Sequence, residues 1–189
     1  MKLDSLPNIL TIGRIAAVPL VVALFYWDYP WSKPLAAIVF IAAAITDSLD
    51  GYLARRMGIT TPLGEFLDPV ADKLMVSTAL VLLVGHDTRP LIVVTAIVII
   101  GREITVSALR EWMAHLGARA KVAVSGMGKW KTILQMTGLS MMMFREDVFR
   151  LPVYQMGVIM LVLAAALTIW SMGSYLRAAW PELRREHVP

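Results

Sequence analysis

Apolar residues dominate the chain in long runs that are separated by short polar segments. Six runs approach the length of roughly 20 apolar residues that crosses a lipid bilayer as a helix. They cover residues 10–27, 34–53, 66–84, 90–109, 130–144 and 153–176. The fifth run is short, but Lys129 and Lys131 can extend it by reaching toward the lipid headgroups. The pattern predicts an all-α integral membrane protein with six transmembrane helices.

Polar residues in the stretch 3–15, which overlaps the start of the first run, predict an additional short helix. Asn8, Thr11 and Arg14 are spaced three residues apart, so a helix gathers them along one stripe. This spacing favours a short N-terminal interfacial helix that leads into the first span. Since no long linker, repeat or low-complexity tract interrupts the chain, residues 1–189 are predicted to form a single domain.

Composition and charge support the membrane class and exclude several others. Hydrophobic residues make up 58% of the chain, and the absence of Cys excludes a disulfide scaffold and a thiol nucleophile. A net charge of +4 is compatible with nucleic-acid binding in a soluble protein. Here, however, most basic residues of the connections fall on the side of both termini. The positive-inside rule therefore predicts cytoplasmic termini, a location in the inner membrane and no nucleic-acid partner.

Four aspartates lie near the cytoplasmic ends of the second and third predicted spans. At about 100° per residue, Asp47 and Asp50 share one face of their helix, and Asp68 and Asp72 lie one turn apart. Helices joined by a short loop are usually neighbours, so the four carboxylates are expected to converge. They then need a positive partner, either nearby Arg and Lys residues or metal ions. Oxygen ligands favour Mg²⁺ or Mn²⁺, and four carboxylates suffice for the paired ions used in phosphoryl displacement.

Small residues and an arginine follow on the same helix. Gly51 and Ala54 lie on the carboxylate face, where they leave room for a ligand against the backbone. Arg55 comes next, at the membrane edge, where it can neutralise a diphosphate. The alternative is that Gly51 and Ala54 only allow close packing between helices.

The motif Asp-x-x-Asp-Gly-x-x-Ala-Arg, eight residues, and Gly-x-x-x-Asp-x-x-x-Asp runs from Asp47 to Asp72. It resembles the signature of the CDP-alcohol phosphatidyltransferases. The resemblance implies a homodimeric six-helix membrane enzyme that transfers a group from a CDP-linked donor to an alcohol and releases CMP. It implies that two dications are held by the four aspartates, with Asp72 also the general base. The resemblance also implies that Gly51, Ala54 and Arg55 border the CDP group. Asn8, Thr11 and Arg14 are weaker candidates for the nucleotide side, and polar capping of the first helix is the alternative for them.

A basic cluster indicates what the acceptor carries. The residues lie in or beside the connection between the fourth and fifth spans: Arg102, Arg110, Lys129 and Lys131. Such a pocket suits an acceptor with its own phosphate, whereas anchoring to anionic lipid headgroups is the alternative for basic residues at this surface. Arg102 interrupts an apolar helix and requires an anionic partner. Glu103 is expected to point elsewhere, which leaves a ligand phosphate or the aspartates.

Residues 7–14, 102–112 and 128–132 resemble one branch of the same family. That branch transfers the phosphatidyl group of CDP-diacylglycerol to glycerol 3-phosphate, forming phosphatidylglycerophosphate and CMP. Family members with another acceptor, such as inositol phosphate, serine or phosphatidylglycerol, are the alternative. An ion or proton transporter is disfavoured because its aspartates are expected near the bilayer midplane, not at helix ends.

Overall fold

The structure is a bundle of six α-helices. The computed structural model describes residues 6–57, 62–115, 127–148 and 150–185, without the side chains of 6–9, 48–57, 62, 63, 65, 127–129, 178 and 181–185. The helices are α1 (Leu6–Tyr26), α2 (Ser32–Met57), α3 (Pro62–His86), α4 (Pro90–His115), α5 (Met127–Phe144) and α6 (Val153–Arg185). Each predicted span corresponds to one of these helices, so the all-α prediction is confirmed.

Apolar side chains cover much of the outer surface. Within the described ranges, α4 and the part of α6 over Val153–Arg177 are long and apolar enough to cross a bilayer, and Leu10–Tyr26 is a shorter apolar stretch. Ile97 and Ile159 are 64% and 60% exposed on the outside of the bundle. Large apolar surfaces of this kind are characteristic of contact with lipid or another protein. The helices thus indicate a membrane-associated protein.

The prediction of a separate N-terminal interfacial helix is wrong for the described residues. Residues 6–26 form one uninterrupted helix, α1, and its first turns continue directly into the apolar part. The described side chains of the polar stripe, Thr11 and Arg14, are both buried and therefore do not face a lipid interface. These two side chains have polar partners on α3, which stabilise a buried polar stripe at the start of the helix.

The way in which the helices pack brings their polar ends together. Helix α1 packs against α2 and α3, α5 packs against α2, α3 and α6, and α4 packs against α3 and α6. One apolar core, with Phe40 and Leu80 fully buried, joins all six helices. Successive helices run in opposite directions, so the first halves of α1, α3 and α5 meet the second halves of α2, α4 and α6. All described candidate residues therefore lie at one end of the bundle.

At the opposite end, Asp87 joins the connection between α3 and α4 to the start of α6. Arg89 donates hydrogen bonds to both carboxylate oxygens of Asp87 at 2.6–3.0 Å, and the hydroxyl of Tyr154 donates to Asp87 Oδ2 at 2.6 Å. The hydrogen bonds from Arg89 hold the pKa of the Asp87 carboxyl well below its usual range. This end is a network of polar contacts and contains none of the candidate residues whose side chains the structure describes.

Helices α5 and α6 approach most closely where two glycines meet. A Cβ atom at Gly138 would lie 2.9 Å from the Gly157 carbonyl oxygen and 3.0 Å from the Leu161 backbone nitrogen. These are backbone atoms that cannot move aside without separating the helices. The glycines therefore allow the two backbones to pack directly against each other.

Replacing Gly138 by alanine is expected to destabilise the protein by about 1–3 kcal/mol, because the helices must move apart. The thermal unfolding midpoint of the detergent-purified protein measures the effect. Gly101→Ala is the matched control, since nothing lies within 4 Å of a Cβ at that position. An equal midpoint for the two variants would show that the close approach of α5 and α6 contributes no stability.

Candidate active site

Three helices bring two of the predicted aspartates onto one arginine. Arg14 Nη1 on α1 donates to Asp72 Oδ1 on α3 at 2.9 Å and lies 2.5 Å from Asp47 Oδ1 on α2. The Arg14 side chain is 2% exposed, whereas those of Asp47 and Asp72 are 37% and 51% exposed. A buried cation between two partly exposed carboxylates offsets the repulsion between them. The expected convergence of Asp47 and Asp72 is therefore present, with Arg14 as their shared partner.

A third aspartate is also held by α1. Thr11 Oγ1 donates to Asp68 Oδ1 at 2.6 Å, nearly one turn before Arg14 on the same helix face. Asp68 and Asp72 belong to successive turns of α3, as their spacing predicted. The described parts of α2 and α3 make at most a minor contact with each other, because α1 packs between them. The aspartates thus meet across α1 and not by direct packing of α2 on α3.

The clustered carboxylates offer donor atoms of the kind that bind metal ions. Within the side chains that the structure describes, no three Asp, Glu or His residues form a ready-made metal site. The available donors are nevertheless all carboxylate oxygens, and the guanidinium of Arg14 already places positive charge between Asp47 and Asp72. Oxygen donors around a cation position fit a hard divalent ion such as Mg²⁺ or Mn²⁺. The prediction of two ions stays a prediction.

A cluster of cationic side chains faces the same cavity from α4 and α5. Lys131 Nζ lies 3.6 Å from Glu103 Oε2, and Arg102 Nη1 donates to the same oxygen at 3.2 Å. Lys131 is buried, and Arg102 is 10% exposed in its side chain. Among the described residues, the Nε atoms of Arg102 and Arg110 have no hydrogen-bond partner. One carboxylate is shared by two cations, so the cluster keeps an excess of positive charge that suits a phosphate.

The expectation for the partner of Arg102 is wrong in one respect. Its anionic partner within the chain is Glu103, the adjacent residue that was expected to point away. Neighbouring residues leave a helix about 100° apart, but both side chains are long enough to meet beside the helix. Glu103 thereby anchors Arg102 and Lys131 together at the wall of the cavity.

Tyr175 on α6 is a component of this cluster that sequence reasoning missed. Its ring lies 5.8 Å from the Arg102 guanidinium carbon and 5.4 Å from that of Arg110, and its hydroxyl accepts a hydrogen bond from Arg110 Nη2 at 3.3 Å. The residue is 7% exposed. A buried aromatic ring between two guanidiniums holds them by cation–π contact. Its only signal in the sequence is an aromatic residue near the end of the last span.

One cavity of about 940 Å³ connects the acidic and basic groups. Its acidic wall contains Asp47 and Asp72, and its basic wall contains Arg102, Arg110 and Lys131. Apolar residues of α2 and α5, including Ile41 and Ile133, also line it and are exposed on the outside of the bundle. The cavity is large enough for a ligand with polar and apolar parts.

Several predicted site residues have side chains that lie outside the described residues. They share positions near the ends of α1, α2 and α5: Asn8, Asp50, Gly51, Ala54, Arg55 and Lys129. The helical backbone at these positions agrees with the helices on which they were placed. Their roles stay predictions.

Known proteins resemble this chain over nearly its whole length. The sequence profile described as CDP-alcohol phosphatidyltransferase matches residues 4–170. A CDP-diacylglycerol–glycerol-3-phosphate 3-phosphatidyltransferase of Pseudomonas fluorescens is 49% identical over 183 residues, which cover 96% of this chain and 93% of the relative. A protein of the same name from Haemophilus influenzae is 48% identical over 175 residues, with 93% of each chain covered.

A plant relative has a different name. Cardiolipin synthase (CMP-forming) of Oryza sativa subsp. japonica is 48% identical over 193 residues, which cover 95% of this chain. The chain spans 58% of the length of that relative. Proteins named for two different reactions are therefore similar to this chain to nearly the same degree.

Proposed function

Because this chain belongs to the CDP-alcohol phosphatidyltransferase family, we propose that it transfers the phosphatidyl group of CDP-diacylglycerol to glycerol 3-phosphate and releases CMP. The product is phosphatidylglycerophosphate. The observation that carries this proposal is a cavity of which one wall holds aspartates and the other a largely buried cationic cluster. The acidic wall suits a cation-bound diphosphate, and the basic wall suits a phosphate on the acceptor.

Direct displacement accounts for the chemistry with the residues present. A hydroxyl oxygen of glycerol 3-phosphate forms a bond to the lipid-linked phosphorus of the donor, and the bond from that phosphorus to the CMP oxygen breaks. Asp72 accepts the hydroxyl proton, since its carboxylate lines the cavity and remains half-exposed. The cations of Arg102, Arg110, Lys129 and Lys131 are proposed to bind the acceptor phosphate and orient the hydroxyl.

The donor headgroup is assigned to the acidic wall. Two divalent cations, Mg²⁺ or Mn²⁺, are proposed to bind the four aspartates of the motif. When bound, they neutralise the diphosphate and make CMP a better leaving group. The CDP group is proposed to lie against the following residues of α2 and α1: Gly51, Ala54, Arg55, Asn8 and Thr11.

The test is CMP release by the purified protein with CDP-diacylglycerol and one acceptor at a time. The acceptors are glycerol 3-phosphate, inositol phosphate, serine and phosphatidylglycerol, and mass spectrometry identifies the lipid product. We expect glycerol 3-phosphate to support turnover and the others to support little. Turnover with phosphatidylglycerol instead would assign the reaction named for the rice relative. Ion flux through vesicles without CMP release would favour a transporter.

We also propose six membrane spans with both termini and the cavity on the cytoplasmic side, and a homodimer. Support for the spans comes from the lengths of the helices and their exposed apolar side chains. The chain contains no Cys, so single cysteines report the orientation. A membrane-impermeant maleimide is expected to label Asp28→Cys in spheroplasts, but His115→Cys only after permeabilisation. The reverse result would invert the proposed topology.

The proposed homodimer is tested separately. The molecular mass of the detergent-solubilised protein distinguishes a monomer from a dimer.

Tyr175 provides a prediction about the basic wall. Tyr175→Ala is expected to raise the KM for glycerol 3-phosphate about tenfold, because both guanidiniums lose a cation–π contact worth roughly 0.5–2 kcal/mol. Tyr175→Phe keeps the ring and is expected to change KM by only a few-fold. Initial rates of CMP release, measured at saturating donor and varied glycerol 3-phosphate, give the KM of each variant. Equal KM values for the alanine variant and the parent protein would show that the ring does not position the arginines.

A further inference from the structure

Gln135 is a buried polar residue in the cavity, outside the acidic and basic clusters. It lies one helical turn after Lys131 on α5 and therefore on the same face of that helix. Its side chain lines the cavity, and the residue is only 5% exposed. Its Oε1 atom is shielded from solvent and has no hydrogen-bond partner among the described residues. Buried amide oxygens without a partner are rare, so this one requires an explanation.

The described side chains around Gln135 have other partners or are apolar, which makes a ligand a candidate source of the missing hydrogen-bond donor. Lys131, the nearest cation along the helix, is already 3.6 Å from Glu103. The hydroxyl of Ser140, another cavity residue of α5, donates to its own helix at the Met136 carbonyl oxygen. Of the other residues one turn from Gln135 on this helix, Leu139 is apolar, and Thr132, which also lines the cavity, already has an interaction of its own. A ligand hydroxyl fits the vacant acceptor, because it can donate one hydrogen bond without introducing charge.

The distance along α5 between Gln135 and the cation of Lys131 is comparable to the length of a small phosphorylated polyol. One turn of helix separates Gln135 from Lys131 by about 6 Å along the axis. A three-carbon chain whose phosphate binds the basic wall is therefore long enough to reach Gln135. Glycerol 3-phosphate has two hydroxyls, and Asp72 receives the proton of the one that attacks. The second hydroxyl, on the central carbon, still needs a partner inside a largely buried site.

We propose that Gln135 recognises the non-reacting hydroxyl of the acceptor and makes the cavity selective for a phosphorylated polyol. The proposal rests on the proposed function, since it concerns the acceptor of that reaction. In the bound state, the side-chain amide of Gln135 rotates about its Cγ–Cδ bond, so that Oε1 accepts a hydrogen bond from the central hydroxyl of the acceptor. A substrate without that hydroxyl leaves the buried amide unpaired and is therefore rejected.

The experiment compares two acceptors in two proteins. The acceptors are glycerol 3-phosphate and 3-hydroxypropyl phosphate. The second compound lacks the central hydroxyl but keeps the phosphate and the attacking hydroxyl. We expect the parent protein to prefer glycerol 3-phosphate by about tenfold to a hundredfold in kcat/KM. In Gln135→Leu the preference is expected to fall to within about threefold of unity, mainly through slower turnover of glycerol 3-phosphate. Ser140→Ala is the control and is expected to keep the parental preference.

Three outcomes would overturn the proposal. The first is a parent protein that does not distinguish the two acceptors, a result that requires no variant. The second is a parental preference retained in Gln135→Leu, or in Gln135→Met if the leucine variant does not fold. The third is an equal loss of turnover with both acceptors, which would indicate a purely structural role. Failure of the proposed function is distinguishable from all three, because the parent protein would then release no CMP with either acceptor.

Discussion

Asp72→Asn protein is expected to release CMP at least about a hundredfold more slowly than the parent protein, because the amide cannot accept the proton of the attacking hydroxyl. The substitution keeps the shape of the side chain, and an amide oxygen can still accept the hydrogen bond that Arg14 donates to Asp72. The fold is therefore expected to survive. Initial rates with CDP-diacylglycerol and glycerol 3-phosphate measure the loss, and the thermal unfolding midpoint verifies the fold.

A titration with Mg²⁺ separates the two roles proposed for Asp72. If the carboxylate serves only to bind an ion, excess Mg²⁺ is expected to restore most of the activity of Asp72→Asn. If it accepts the proton, the loss persists at every Mg²⁺ concentration. Asp147→Asn, at the opposite end of the bundle, is the control and is expected to retain full activity. A rate for Asp72→Asn within a few-fold of the parental rate would exclude Asp72 as the general base.

The six helices could be predicted because hydropathy is a local property of the sequence. An apolar run of bilayer length has to form a helix in lipid, where every backbone polar group must be paired within the segment. Even the fifth run, which was short in the sequence, corresponds to α5, whose helix begins at Met127. The prediction wrongly divided α1 into an interfacial helix and a span, because the polar residues near its start were interpreted as a surface at the lipid interface. The contact that buries Thr11 is made with Asp68, which is distant in sequence.

The acidic side of the site could be predicted in part for a related reason. The spacing of Asp47, Asp68 and Asp72 places each on a definite helix face, and the structure brings Asp47 and Asp72 to one nitrogen. The spacing of residues along one helix does not show which residues of the other helices lie next to them. The roles of Arg14 and Tyr175 depend on how α1 packs on α3 and how α6 packs on α4, and both contacts join residues more than 50 positions apart. The pairing of Arg102 with Glu103 depends on rotamers, which a helical wheel does not contain.

The second large effect is expected at Arg14. Arg14→Met removes the cation shared by Asp47 and Asp72 and leaves their carboxylates facing each other. Breaking a fully buried ion pair destabilises a protein by roughly 3–5 kcal/mol. Since Asp47 and Asp72 are 37% and 51% exposed, solvent screens part of the repulsion, and a loss of about 1–3 kcal/mol is expected. The thermal unfolding midpoint without divalent ions measures it.

The response to metal makes this prediction specific to the acidic wall. If divalent ions bind where Arg14 now supplies the positive charge, Mn²⁺ is expected to raise the unfolding midpoint of Arg14→Met more than that of the parent protein. Isothermal titration with Mn²⁺ is expected to show tighter binding in the variant, because the ions no longer compete with the guanidinium. Arg177→Met, which removes an exposed charge from α6, is the control and is expected to change neither quantity. Equal Mn²⁺ stabilisation of Arg14→Met and the parent protein would mean that the ions, if they bind, do so away from the carboxylates that Arg14 holds.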